Sequence, residues 1–219
     1  MATLSGTPFA QVSPVRSVRV ERLRAQLRKP HEASFFFYDA FFKADAVKVL
    51  PGEYFVHDED VLIMTTLGSC IAACLWDRNA RVGGMNHFML PEGTGAGIEG
   101  GRYGSFAMEL LINELLKRGA SRATLEAKVF GGAAVISGMS SLNVGERNTR
   151  FVFDYLQTER IPVVSKDVLE IYPRKVCFFP ASGKAMVKRL APTNPDAVLA
   201  LDRAAAQQAR SSAGSVDLF

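Results

Sequence analysis

The chain has 219 residues, 48% of them hydrophobic and 22% charged; it is long enough to bury one core, and no apolar run is long enough to span a membrane. The net charge of +4 is confined to residues 1–33, where six basic groups face two acidic ones, so the body is neutral and the composition speaks against nucleic-acid binding. Three Cys (Cys70, Cys74, Cys177) and three His (His31, His57, His87) are too few for a disulfide scaffold or a zinc-finger array, and a reducing cytosol is the expected compartment.

In chain order, residues 1–34 read as a basic, mobile extension with at most a short helix over 17–28, and they lack the apolar region of a secretory signal. The folded unit is expected over 35–190. Residues 61–67 and 71–76 read as buried strands, and 81–90 as a third strand after the polar turn 77–80. Residues 93–101 hold five Gly and read as a loop. The spacing of Phe106, Met108, Leu110, Leu111, Ile112, Leu115 and Leu116 predicts a helix over 105–118, capped by Ser105 and closed by Gly119. Strands over 123–130, 161–166, 175–179 and 184–190 and a helix over 146–159 complete the unit, with Pro180-Ala-Ser-Gly183 as a hairpin turn. Residues 191–219 read as a tail. This alternation, rich in hairpins, predicts a layered α/β sandwich with a mixed or antiparallel sheet.

The hairpin carries the chemistry. A symmetric turn at 77–80 pairs Cys70 directly with His87, side chains on one face and Cβ atoms roughly 4.5–5.5 Å apart. A thiol beside an imidazole can give up its proton to it and become a nucleophile. Gly68 and Ser69 let the chain turn just before Cys70 and offer amide N–H groups to an oxyanion. The competing reading makes Cys70 a small buried hydrophobe and His87 a satisfied core histidine; Cys74 and Cys177 are read as core. Cys70 and Cys74 would need two further ligands to hold a metal, and only His57 lies near in sequence, so no metal is expected. Gly95, Gly97 and Gly100 match a dinucleotide fingerprint by spacing, but the loop from strand to helix is too long for one. They are read instead as a substrate loop on the rim of the site.

The segments Leu67-Gly-Ser-Cys-Ile-Ala-Ala-Cys-Leu-Trp-Asp77 and Gly83-Gly-Met-Asn-His-Phe-Met-Leu-Pro91 resemble the chemoreceptor glutamine deamidase family, CheD. Four more segments match in order: 45–54, Lys128-Val-Phe-Gly-Gly-Ala133, Asn143-Val-Gly-Glu-Arg-Asn148 and Tyr172-Pro-Arg-Lys-Val176. The resemblance runs from Tyr38 to Leu190 and leaves both tails unmatched. It implies a cytoplasmic bacterial enzyme, similar in plan to the toxin deamidases, that hydrolyses receptor glutamines to glutamate without a cofactor. It further implies a Cys–His–Thr triad with Cys70 as nucleophile and His87 as base. The Thr is expected five or six residues before the Cys, which fits Thr65, whereas simple strand alternation puts Met64 and Thr66 on the face of Cys70. Thr65 is preferred because the Gly-Ser break makes alternation counted across it unreliable. The implied partners are methyl-accepting chemotaxis receptors and a CheC-type phosphatase. A receptor- or CheC-binding adaptor with secondary catalysis is the alternative.

Overall fold

The computed structural model describes residues 17–90, 101–134 and 144–191. Within them run α1 (Val18–Ala25), β1 (Phe35–Asp39), β2 (Ala44–Lys48), β3 (Tyr54–His57), β4 (Leu62–Leu67), β5 (Ile71–Asp77) and β6 (Val82–Asn86). These are followed by α2 (Gly101–Lys117), β7 (Leu125–Gly131), α3 (Val144–Thr158), β8 (Val163–Val168), β9 (Arg174–Phe179) and β10 (Lys184–Arg189). The strands form two five-stranded mixed sheets, ordered β1-β2-β4-β9-β10 and β3-β6-β5-β7-β8. Each contains one parallel pair, β2 with β4 and β7 with β8. The architecture is thus mixed α/β. No helix among the described residues is long and apolar enough to cross a membrane.

Burial explains the layering. β5 (IAACLWD) is apolar almost throughout because both its faces are covered. Ile71, Ala73 and Leu75 pack with Met108, Leu111, Ile112 and Leu115 of α2 and with Val152 and Leu156 of α3. Ala72 and Cys74 face the other way, toward Ile63, Leu67, Val176 and Phe178 of the second sheet. The order is therefore helices, sheet, sheet. Arg174, fully buried, ties the two sheets together by pairing with Asp167 at 2.9 Å.

Three local expectations change. Helix α2 begins at Gly101, so Ser105 lies inside it and caps nothing; its C-terminus does close at Gly119, with φ 91° and Ala120 N–H donating to Leu115 O at 3.1 Å. The turn of the β5–β6 hairpin is 78–81, because Asp77 stays paired with Val82 and Arg81 takes a left-handed φ of 53°. The Asp77 carboxylate accepts from the Asn79 and Ala80 amides and fastens that turn. Strands β1 to β3 also fill 35–57, a stretch for which the sequence reading predicts no strand.

Residues 17–34, placed outside the folded unit by composition, pack against it. Val20 and Leu23 of α1 are buried in the core between the sheets. Arg24 donates to Phe36 O, and Arg28 sits 4.7 Å over the Phe36 ring. Glu32 bridges Tyr54, and Ala33 N–H donates to Tyr54 O at 2.8 Å, so this segment covers the edge strand β3. Basic side chains dominate the composition here, but Val20, Leu23 and Ala33 are the residues it buries, while Arg24 and Arg28 pack on Phe36. Deleting residues 1–33 is expected to cost about 3 kcal/mol or more from Val20 and Leu23 alone. The midpoint of a thermal melt is expected to fall by roughly 6–12 °C. A melt unchanged from that of the full chain would show that α1 contributes nothing to stability.

Candidate active site

The β5–β6 ladder places the two sequence-predicted residues. Ile71 and Phe88 exchange both backbone hydrogen bonds, each 2.9 Å. By extension of this register Cys70 lies opposite Met89, and His87 opposite Ala72. The direct Cys70–His87 pairing expected from a turn at 77–80 is therefore corrected by two residues. Moving the turn by one position shifts each partner by two, which keeps the face. Cys70 belongs to the core between the sheets together with Ala72, Cys74 and Met89. It is the diagonal neighbour of His87 on that face, a relation typically spanning about 7–8 Å or less.

Across from them, Ile63, Thr65 and Leu67 of β4 point inward, whereas Leu62 and Met64 join the outer cluster. Thr66 alternates outward, opposite Lys175. Thr65 is buried, with its Oγ1 2.9 Å from His87 Nδ1, and it donates to Val49 O at 2.8 Å. Counting alternation from Thr66 to Cys70 fails for a topological reason. β4 and β5 belong to different sheets, and the chain crosses between them at Gly68 and Ser69.

Hydrogen-bond accounting fixes the tautomer. The Thr65 hydroxyl has spent its one proton on Val49 O, so it accepts from His87 Nδ1–H. Val49 O lies farther from Nδ1, at 3.4 Å. Nε2 then carries the lone pair, and it is buried without a hydrogen-bond partner among the described residues. Burial pushes His87 down to about 4, against the smaller upward effect of Val49 O and with Lys48 adding to the lowering. The imidazole is consequently a neutral base at pH 7.

The Cys70 backbone is pinned from β7 and α3. Its carbonyl accepts from Gly132 N–H at 2.8 Å, and Gly68 O accepts from Ala133 N–H at 2.9 Å. Gly131, at φ 112°, passes so close that a Cβ there would overlap the Cys70 carbonyl oxygen. Asn148 Nδ2 donates to Ser69 O at 2.9 Å, and Asn148 Oδ1 accepts from Leu90 N–H at 3.0 Å. Sequence reasoning assigned no role to Gly131, Gly132 or Asn148. The segments 128–133 and 143–148 hold them, but their contacts with Ser69 and Cys70 are long-range. Gly95, Gly97 and Gly100 lie outside the described residues. Cys74 and Cys177 are buried, and burial pushes both thiols up, which keeps them protonated.

A family model described as CheD chemotactic sensory transduction matches residues 89–189. The chain is 64% identical to the probable chemoreceptor glutamine deamidase CheD 1 of Albidiferax ferrireducens, over 92% of this chain and 87% of that one. It is 50% identical to the probable chemoreceptor glutamine deamidase CheD of a Janthinobacterium species, over 89% of this chain and 99% of its relative. Identity to the corresponding protein of Bordetella petrii is 53%, over 83% and 84% of the two chains. Among solved structures, the hypothetical protein YfiH of Bacillus licheniformis aligns with a TM-score of 0.34 at 13% identity over 54% of this chain and 49% of that one, too little to carry an argument. Identity at this level across nearly the whole length makes this chain a member of the CheD family.

Proposed function

We propose that this protein deamidates selected glutamine side chains of methyl-accepting chemotaxis receptors to glutamate, with Cys70 as nucleophile, His87 as base and Thr65 as the residue that orients it. The observation that carries this reading is the relay from His87 Nδ1–H through the Thr65 hydroxyl to Val49 O, which leaves the lone pair of the imidazole on Nε2.

In mechanism, Nε2 takes the Cys70 proton as Sγ attacks the glutamine Cδ. Backbone amides around Ser69 and Cys70 hold the oxyanion. Collapse breaks the C–N bond, and the proton on Nε2 leaves with ammonia. A water then gives a proton to Nε2 and attacks the thioester, and the thiol regains that proton as glutamate departs. Neutral glutamine becomes an anion, so the receptor gains a negative charge. On this reading the chain shares its plan with the toxin-type deamidases, acts in the cytoplasm and has a CheC-type phosphatase as a further partner.

The test is mass spectrometry of a co-expressed receptor fragment. A gain of about 1 Da at specific glutamines is expected from the mass difference between an amide and an acid, and its absence with the folded wild-type protein would overturn the reading. The two threonines give a graded prediction. Removing one hydrogen bond to a neutral group costs roughly 1–2 kcal/mol, so Thr65→Ala is expected to slow deamidation about five- to thirtyfold. Thr66→Ala, on the outer face, is expected to stay near wild type. A larger loss for Thr66→Ala at equal stability would remove Thr65 from the relay.

A further inference from the structure

Asn148 is fully buried, and both ends of its amide are spent on the two strands of the catalytic hairpin. The pattern of those bonds is informative. In an antiparallel ladder the doubly bonded pair Ile71–Phe88 is followed, two residues on, by another such pair, which here is Ser69 with Leu90. That rung is not a direct bond. Leu90 N–H donates to Asn148 Oδ1 and Asn148 Nδ2 donates to Ser69 O, so a side-chain amide from α3 is inserted in the ladder where the strands flank Cys70 and Met89.

Ser69 O belongs to the same peptide unit as Cys70 N–H. A hydrogen bond to that carbonyl fixes the plane of the unit and polarises its N–H. Gly132 N–H holds the following carbonyl, that of Cys70, so two successive peptide planes at the nucleophile are fixed from outside the hairpin. We infer that Asn148 is a positioning residue for the reaction: it wedges the hairpin apart at Cys70 and aims the Ser69–Cys70 amide at the oxyanion. This rests on the reading of Cys70 as nucleophile.

The discriminating variant is Asn148→Asp, which still accepts from Leu90 N–H but, when ionised, cannot donate to Ser69 O. Steady-state ammonia release from the receptor fragment gives kcat and KM. Alkylation of Cys70 by iodoacetamide, a displacement that forms no oxyanion, reports on the thiol alone. A misaimed oxyanion donor is expected to lower kcat about 10–100-fold with KM within about twofold, somewhat less than complete loss of a donor. Alkylation is expected to stay within about threefold, because thiol reactivity follows its own proton and access. Activity of Asn148→Asp is expected to recover as the pH is lowered, since the protonated carboxyl regains a hydrogen to donate. Asn148→Ala, which introduces no charge, is expected to show the same kcat loss without the recovery.

Wild-type kcat in both variants would overturn the proposal, as would alkylation falling in step with deamidation, which marks general damage around Cys70. Failure of both variants to fold would assign Asn148 to the fold alone and overturn it as well. Absence of ammonia release from the wild-type protein would instead reject the deamidase reading, so the two failures are separable.

Discussion

Cys70→Ala is expected to abolish deamidation of a receptor fragment while the protein stays folded. The nucleophile supplies the covalent route, and no other thiol can take its place. Cys74 and Cys177 are buried with raised thiols, and Cys177 belongs to the outer cluster of the other sheet. Loss of a nucleophile in an enzyme of this chemical type costs at least roughly a thousandfold in kcat. Removing one small buried side chain costs on the order of 1 kcal/mol of stability, so the variant is expected to fold. Cys70→Ser is expected to be nearly as inactive, because a hydroxyl beside a base of depressed pKa is a poor nucleophile. Cys74→Ala and Cys177→Ala are expected to keep most of the activity. Comparison of the four proteins by ammonia release and thermal melting decides the matter: substantial turnover by Cys70→Ala would end the covalent mechanism.

His87→Gln is expected to lower kcat by about two to four orders of magnitude, the usual contribution of a positioned acid–base group. It also carries a stability signature that activity assays would not reveal. The imidazole is held neutral, its pKa pushed by burial down to about 4. In the unfolded chain it titrates near about 6.5. Between these values the unfolded state binds more protons than the native one, so stability rises with pH across that window. The contribution is fully present above the unfolded value and is lost as the pH falls from about 6.5 to about 4, an amount of about 3 kcal/mol. Urea melts of the wild type are expected to show this loss, and melts of His87→Gln to lack that part of it. Parallel curves for the two proteins would mean that His87 is not buried as a neutral base.

Sequence alone makes legible that Cys70 and His87 share one face of a hairpin. Cys70 immediately precedes β5 and His87 immediately follows β6 of one hairpin, and a local hairpin preserves face even when its register is off by one turn residue. Asp77 illustrates the limit: its side chain fastens the 78–81 turn and holds it in the strand, a preference that composition does not distinguish from a turn residue. The helices were visible through their apolar periodicity, and α2 ran four residues farther toward its N-terminus because the glycines at 101 and 104 are tolerated there. Gly104 sits against Phe151 of α3 and Leu90, where a larger side chain would not fit. The basic composition of the segment before Phe35 hides the two aliphatic residues, Val20 and Leu23, that it buries in the core.

What the sequence determined by itself is chemical and local: a thiol and an imidazole on one face of a hairpin, a flexible turn before the thiol, and apolar stripes that make helices and buried strands. The choice between Thr65 and Thr66 was decided by tertiary structure, since only the crossing from one sheet to the other at Gly68 and Ser69 determines which threonine faces His87. The same holds for Asn148, Gly131 and Gly132. Each acts on the backbone of residues 68–70 from an element more than 60 positions away in the chain, a separation across which neither periodicity nor turn chemistry carries information. Those contacts exist only after both sheets and α3 have packed.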